Sequence, residues 1–573
     1  MKKSKYYFLC ALLIVIFHFI LLMIYFEPAI STPDAQGYFT QAKLIATKGI
    51  VGFEPESFLE YIGPHWSPVN DEEYYTTFPP GFPFLLSLFY KICGAKSSLY
   101  LNPILASLSL LGLFLIVRLW IGDVWALVAL LLLAINPFAN EHALFGDSHT
   151  SVIFFLIFGL FFLTIWLKRK SLWSIFFAGF CFGIIPTLRY AESLVLIVFV
   201  IFLLTNFQKS KTYYASLVAA IIGVGLPTMA LAIRNQIAFG AFWKTGYGLA
   251  NGPAHFGFNY FLQHFIPYIG QLLLEGLGVV FITGLIGGAI LIIKKEFRVI
   301  GFFFLLLILP LTFLYMAYVW PIDPQSMRFL LPTFPIYIIL TAWMLKFLSE
   351  KNLKIGIIST ILIVILTVLA GFPKSYLSLR HLKIKNSVLV KIANVVEENV
   401  EPENILIANE GILQNLDFLG KWKLANISPL IPMSDIMNPL IADYDMPSKK
   451  IRNVQSRERY SELPKDDVFD AVTKDLWKWS NNDKRIYLLG KEEQISLLQK
   501  QLSESDTLIT VSRIDIPDLG RLEFPRPKNR QNRKPKFDKD RRENFHMIMM
   551  PNQIYDFFVD GNPLFLVEWK SIR

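Results

Sequence analysis

Phe82-Pro83-Phe84-Leu85-Leu86-Ser87-Leu88-Phe89-Tyr90-Lys91-Ile92-Cys93 is an apolar run, and whether it crosses a bilayer decides how the rest of the chain is threaded. A spanning helix needs about 20 apolar residues to cross about 30 Å of hydrocarbon, so this run is too short and fits a helix lying in the interface. Longer runs start at Tyr6 and near Leu101, Val124, Ser151, Trp173, Ala191, Tyr213, Ile269, Val299, Phe329 and Ile355, which predicts about 11 transmembrane helices. The distribution of positive charge supports leaving the short run uncounted. With the N-terminus inside, the inner loops hold 15 of the 23 Lys and Arg up to Pro373, and the longer outer loops hold eight. Counting the short run as a span would export Lys168-Arg169-Lys170 and Lys294-Lys295. The expected orientation is therefore N-terminus cytoplasmic and C-terminal domain extracytoplasmic.

Composition agrees with a polytopic membrane protein. Apolar residues make up 54% of the chain, aromatic residues 15%, and mean hydropathy is +0.45, which together exclude an ordinary soluble enzyme. Of 55 Lys and Arg, 32 follow Pro373, so charge returns where the apolar runs stop. That places a membrane domain at 1–373 and an outer domain at 374–573. The Tyr6 to Phe26 stretch follows Lys2-Lys3-Ser4-Lys5 and has no small-x-small cleavage site after it, so it reads as a retained anchor and not as a signal peptide. Three cysteines, Cys10, Cys93 and Cys181, give no disulfide framework and no metal spacing.

Beyond Pro373 the pattern alternates. Helices are expected at Val388 to Val400, Asp467 to Trp479 and Glu492 to Leu502. Strands are expected at Ile405 to Ala408, Arg485 to Leu489, Thr507 to Ile514 and Leu564 to Trp569, giving an α/β domain with a partly parallel sheet. Residues 521–542 carry ten Lys and Arg among 22 and read as a flexible basic loop, either solvated or in contact with anionic headgroups or a phosphorylated acceptor.

The threading gathers the chemistry-bearing residues on or near the outer side: Asp34, Asp147, Arg189, Arg234, Lys244, Glu275 and Arg328. Asp34 sits near the start of an expected interfacial helix, Ala35 to Lys48, and Asp147 opens a span. Position alone leaves helix capping, worth about 1 kcal/mol, open for both carboxylates. Arg328 lies in a very short loop at headgroup depth, where snorkelling is the plain alternative to ligand binding. Arg189 has Glu192 nearby as a partner. Arg234 and Lys244 flank Asn235-Gln236-Ile237-Ala238-Phe239-Gly240.

In this order the motifs resemble those of the GT-C glycosyltransferases, in particular the branch containing bacterial aminoarabinose transferase and the protein O-mannosyltransferases. Asp34-Ala35-Gln36-Gly37-Tyr38 is similar to the family's first-loop acidic motif, and Phe78-Pro79-Pro80-Gly81-Phe82-Pro83 to its Pro-Pro loop. Asn102-Pro103, Asp147, Leu188-Arg189-Tyr190 and Arg328-Phe329-Leu330-Leu331-Pro332 also sit where the family has similar residues. The resemblance implies sugar transfer from a polyprenyl-phosphate-sugar donor to a lipid, glycan or protein acceptor on the outer face. In it Asp34 is the catalytic carboxylate and Asp147 a second acidic residue. An attacking hydroxyl must lose a proton, which suits Asp34 as base. The phosphate leaving group needs cations more than a general acid, and Arg328, Arg189, Arg234 and Lys244 are those available.

One departure is plain: the aminoarabinose branch carries Glu-Lys directly before Pro-Pro, where this chain has Thr77-Phe78. That puts the donor sugar in doubt more than the reaction class. His65, Asp71, Glu72, His142, His149, His255 and His264 are expected outside, yet none forms a compact ligand motif, so the site is read without a metal or other cofactor, a divalent ion being the alternative. No nucleotide-binding loop is present, and nucleic acid is not an expected partner. Short loops and high Phe, Ile and Lys content fit a bacterial plasma (inner) membrane. The competing reading is a transporter or flippase of lipid-linked glycans, which should show an internal repeat and broken helices at mid-bilayer. A non-catalytic scaffold is the third.

Overall fold

The computed structural model describes residues 2–69, 73–249, 256–319, 324–427, 430, 463, 465–481, 483–503, 505–517 and 561–571. The basic run 521–542, together with Asp71, Glu72 and His255, lies outside the described residues. By packing, the chain falls into two compact units. The first is Met1–Phe26, Phe78–Phe89 and Ser97–Leu382, and the second is Glu27–Thr77, Tyr90–Lys96 and Lys383–Arg573.

The first unit is helical. Each of the expected apolar runs forms a helix, but not each is long enough to span. Among the described residues seven helices are long and apolar enough to cross a membrane: Ser4–Tyr25, Ala95–Ile121, His149–Arg169, Lys211–Phe239, Arg298–Met316, Ser326–Lys351 and Leu353–Asn399. Phe258–Gly276 and Val279–Ile293 would make an eighth as one broken span, bent by 112°. Asp123–Ala134 and Leu172–Leu188 are shorter, about 18 Å and 25 Å at 1.5 Å per residue, and Ala191–Thr205 is shorter still than the second. The count of 11 is therefore not reached by length. A break at Gly278 (φ +58°) supplies the reason at one place, since only glycine adopts such backbone freely, and Asp123–Ala134 stops short where Asn136 and Pro137 open the next helix. The deciding run forms a 13-residue helix, Gly81–Cys93.

Phe334 to Leu345 is buried without interruption, so Phe334–Lys351 is the central helix of the unit. Helices close on one another through glycine, as membrane helices do where no water drives them together. A Cβ on Gly223 would stand 2.2 Å from the Phe176 carbonyl oxygen, and one on Gly287 2.0 Å from that of Leu340.

The second unit joins residues 27–77 and 90–96 to the C-terminal region. A three-stranded antiparallel sheet, ordered β1-β3-β2, is built from β1 (Gly52–Phe53), β2 (Trp66–Pro68) and β3 (Tyr74–Thr76). The larger sheet has β4 (Ile405–Ala408), β5 (Lys423–Asn426), β6 (Ile486–Lys491), β7 (Asp506–Ile514) and β8 (Leu564–Ser571) in the order β5-β4-β6-β8-β7. Strand β4 is parallel to β5 and β6, whereas β8 is antiparallel to β6 and β7, so the partly parallel sheet is as expected. The elements of this unit with no expectation from periodicity are short: β1 to β3, β5 and the eight-residue Glu410–Asp417 helix. The expected Val388 to Val400 helix is the end of the 47-residue Leu353–Asn399 helix. Loop residues cover the edge of β5: Tyr61 donates its N–H to the Leu424 carbonyl at 2.7 Å, Glu60 bridges Ala425, and Leu59 enters the apolar core with Ile405, Ile486 and Trp569.

Candidate active site

In the second unit, Asp34 occupies the first turn of Pro33–Lys48. Thr32 is the N-cap, its Oγ1 accepting from the Ala35 N–H at 3.2 Å, and Pro33 opens the helix. The capping role is thus filled by the residue two before Asp34. The Asp34 carboxylate is 35% exposed and pairs instead with His65, Nε2 to Oδ1 at 3.0 Å. His65 stands just before β2, in the segment that starts at Gly63. The sequence marked it only as one of several outer histidines, and no spacing rule links positions 34 and 65.

The other carboxylate and the cations belong to the first unit. The short helix Pro137–His142 starts on an Asn136 cap, whose side chain accepts from the Ala139 N–H at 2.9 Å, and ends on His142, which is buried. Asp147 in the following loop takes two bonds: His142 Nδ1 lies 2.6 Å from Oδ2, and the His149 N–H donates to Oδ1 at 3.2 Å. Asn102, from Asn102-Pro103, donates to the backbone carbonyls of Phe145 and Asp147 at 2.6 and 2.8 Å. That motif fixes the loop bearing Asp147. The span then starts at His149.

His149 Nε2 faces Arg189 at 3.4 Å. Arg189 is the residue after Leu172–Leu188, and its Nε donates to Glu192 Oε1 at 2.7 Å while another guanidinium nitrogen donates to Tyr315 Oη at 3.1 Å. Tyr315 in turn donates to the same Glu192 oxygen at 3.1 Å, and Glu192 is wholly buried. Arg189 is therefore neutralised by a buried carboxylate, the partner that the sequence offers. Tyr315 stacks on Phe329 at 4.8 Å between centroids, and the Arg189 and Arg328 guanidiniums lie 5.9 and 5.1 Å from the same ring. Phe329 thus gathers Asp147's neighbour His149, Arg189 and the half-buried Arg328 into one patch.

Arg234 is buried near the end of Lys211–Phe239, 4.5 Å from the Phe239 ring and donating to Asn235 Oδ1 at 3.2 Å. Tyr190 donates to the same oxygen at 3.4 Å, and its phenol is pushed up by burial, with Arg234 opposing. Tyr190 meets Tyr247, which meets Phe78 of the Pro-Pro loop. Gly81 of that loop has no room for a Cβ, which would lie 2.1 Å from Thr187 Oγ1, so the loop is locked beside Arg189's own helix. Lys244 is exposed in the turn after Gly240. Among the described residues no group of three or more His, Cys, Asp or Glu is placed to hold a metal.

The structure brings Asp147, Arg189 and Arg328 together in one unit, puts Arg234 beside Tyr190, leaves Lys244 exposed, and places Asp34 in the other unit with His65. His142, Tyr315 and His65 are the partners that the sequence did not assign.

Residues 77–226 match the family model described as dolichyl-phosphate-mannose-protein mannosyltransferase. No curated protein matches by sequence. Among solved structures, the chain is similar to ArnT from Cupriavidus metallidurans bound to undecaprenyl phosphate, with TM-score 0.57, 13% identity, and 87% of this chain and 96% of that chain covered. The apo state of the same protein gives TM-score 0.53 at 13% identity, covering 87% and 95%. The Archaeoglobus fulgidus oligosaccharyltransferase in the apo form gives TM-score 0.49 at 13% identity, covering 85% and 70%. The chain is a multi-pass membrane protein whose fold is similar to that of ArnT.

Proposed function

We propose that this chain is an integral-membrane glycosyltransferase that moves a sugar from a polyprenyl-phosphate-linked donor to an acceptor on the outer face of a bacterial inner membrane, with Asp34 as catalytic base. The observation that carries the reading is that the Asp34 carboxylate, on a helix capped by Thr32, is partly exposed and paired with His65 at 3.0 Å. The likeness to ArnT, whose structure holds undecaprenyl phosphate, supports the donor class. As the acceptor hydroxyl oxygen bonds to the anomeric carbon, its proton passes to Asp34, and the bond from that carbon to the phosphate oxygen breaks with its electron pair going to the phosphate. Arg328, with Arg234 and Lys244, meets the growing phosphate charge. Arg189, neutralised by Glu192, serves more to hold the patch. Asp147 orients His142 and is the second acidic residue of the site. The reading calls on no cofactor.

Mass analysis of envelope glycans from cells with and without the protein tests the function and names the product. A glycan that disappears with the gene and with Asp34→Asn supports it, and an unchanged profile removes it. Orientation is tested in a chain freed of its native cysteines: a cysteine at Ser57 should react with an impermeant thiol reagent in intact cells, and one at Ser171 should not. The reverse pattern inverts the threading.

A second reading, a flippase of lipid-linked glycans, is favoured by the 112° break between Phe258–Gly276 and Val279–Ile293, since transporters use discontinuous helices. It predicts that Asp34→Asn leaves the envelope glycans intact.

A further inference from the structure

The segment that carries Asp34 is held on both sides by one short helix from the far end of the chain. Upstream, the Ile30 N–H donates to Asn415 Oδ1 at 2.8 Å. Downstream, Gln36 Nε2 and Thr40 Oγ1 donate to Asp417 Oδ2 at 2.6 and 2.7 Å, and Lys43 Nζ donates to Asp417 Oδ1 at 2.9 Å and to its backbone carbonyl at 2.7 Å. All of these residues lie in the second unit. Asn415 and Asp417 are both on the Glu410–Asp417 helix, so a single rigid element grips four, two, six and nine residues away from Asp34.

Helix stability does not account for Asp417. It is the last residue of its helix, where the macrodipole is negative and a carboxylate is disfavoured. What offsets that placement is the set of bonds into the Asp34 helix. Lys43 neutralises the charge, and the carboxylate is 13% exposed, so its bonds are little screened by solvent. Gln36, two residues from Asp34 and fully buried, has no freedom on its other side: a Cβ on Gly63 would stand 1.9 Å from Gln36 Oε1. Gly63 is two residues before His65, the Asp34 partner. The same contact that pins Gln36 thus fixes where His65 enters.

We propose that Asn415 and Asp417 are positioning residues for Asp34, which makes the C-terminal domain part of the catalytic apparatus. The proposal rests on Asp34 being the base. A carboxylate must come within hydrogen-bond reach of the acceptor hydroxyl, and a displacement of the order of 1 Å can cost about 10²-fold in rate. The anchors act on that distance.

The test expresses full-length variants in cells lacking the native protein and measures the rate at which the gene-dependent glycan appears, with the amount and melting temperature of each purified variant. Asp417→Asn keeps the shape but turns one acceptor into a donor facing donors. It should lower the melting temperature, because Lys43 loses its carboxylate, and should slow the product about tenfold or more at a temperature where the variant is still folded; Asn415→Ala should behave alike. Asn415→Asp keeps the acceptor for Ile30 but loses the Asn415 donation to the Leu389 carbonyl at 3.3 Å, so its rate should fall between those of Asn415→Ala and the parent. In an Asp34→Asn background, Asp417→Asn should add no further loss, because a residue acting only through Asp34 has nothing left to act on. Full rates for Asp417→Asn and Asn415→Ala beside a slow Asp34→Asn would overturn the anchors and leave the base standing. Loss that disappears at a temperature where the variant is still folded, or that adds in full to Asp34→Asn, would make Asp417 structural only. A full rate for Asp34→Asn itself would remove the base, and the proposal with it.

Discussion

His65 Nε2 lies 3.0 Å from Asp34 Oδ1, a pairing between a helix start and the lead-in to a strand 31 positions later in the chain. Both side chains are about a third exposed, so the contact is worth little as a salt bridge, of the order of 0–1 kcal/mol. Its value is orientation of the carboxylate. His65→Ala is expected to reduce transfer about tenfold with little change in melting temperature, and His65→Gln, which keeps a donor, to retain more activity than Ala. Equal activity of His65→Ala and the parent would show that Asp34 is aimed without it.

The division of labour between Thr32 and Asp34 gives a second contrast. Thr32→Ala removes the cap and should cost about 1 kcal/mol of stability while leaving transfer chemistry largely intact. Asp34→Asn should do the reverse, a stable protein slowed about 10²-fold or more through loss of the proton acceptor. Thermal melting and product formation on the same two variants separate the roles. If Asp34→Asn melts early and Thr32→Ala does not, the assignment is wrong.

The spans and the C-terminal strands were legible because their apolar runs, long in the helices and short in strands such as Ile405–Ala408, where all four residues are buried, report burial through sequence alone. The site was legible only as a set of types. Asp147 and Arg328 stand out as charges at span mouths, and Glu192 three residues after Arg189 announces an ion pair. Nothing local announces that His142 will face Asp147, that Tyr315 will close the Arg189–Glu192 pair from another helix, or that Asp417 will reach the Asp34 helix across 374 to 381 positions. Those contacts are set by tertiary packing. The same applies to span length, where Gly278 divides a run whose hydropathy continues through the break.

Because Glu192 is wholly buried beneath Arg189 and Tyr315, removing one partner strands a charge. Arg189→Met or Glu192→Leu alone should each destabilise by about 3–5 kcal/mol, as single truncations of buried pairs do, and the pair changed together should recover much of that. The check is a double-mutant cycle on melting temperature. Singles that melt like the parent would mean that the guanidinium is solvated and free to serve a phosphate.

Glu60 supplies a pH signature in the second unit. Burial pushes its carboxyl up to about 7 from 4.5, with Lys43 and Lys48 opposing and Asp417 adding. Its folded pKa is above its unfolded one, so the folded state binds more protons between about pH 4.5 and 7. Stability from this group is full below that window and falls as pH rises through it, by at most about 1.4 kcal/mol per pH unit. Glu60→Gln should flatten that part of the melting-temperature profile and gain most over the parent above pH 7. A parent profile that rises from pH 5 to 7, with the variant rising in parallel, would exclude the assignment.

Arg328 decides between lipid snorkelling and phosphate binding. Thr77-Phe78 stands where the branch that the sequence resembles has Glu-Lys, so under the proposed function the donor phosphate must find its cation elsewhere. Arg328 is half-buried against Phe329, on the face where Arg189 is already taken by Glu192. A snorkelling residue needs only length and charge, so Lys would replace it and Gln would cost mainly stability. A residue that grips two phosphate oxygens needs the planar fork, so Arg328→Lys should slow transfer about tenfold and Arg328→Gln further, with protein levels unchanged. Raising the donor concentration should recover part of the Lys loss if the fork binds ground-state phosphate, and none of it if the fork acts only as the leaving charge develops. Transfer by Arg328→Gln at the parental rate would take Arg328 out of the site and shift the burden to Arg234, whose guanidinium is already buried beside Asn235 and Tyr190.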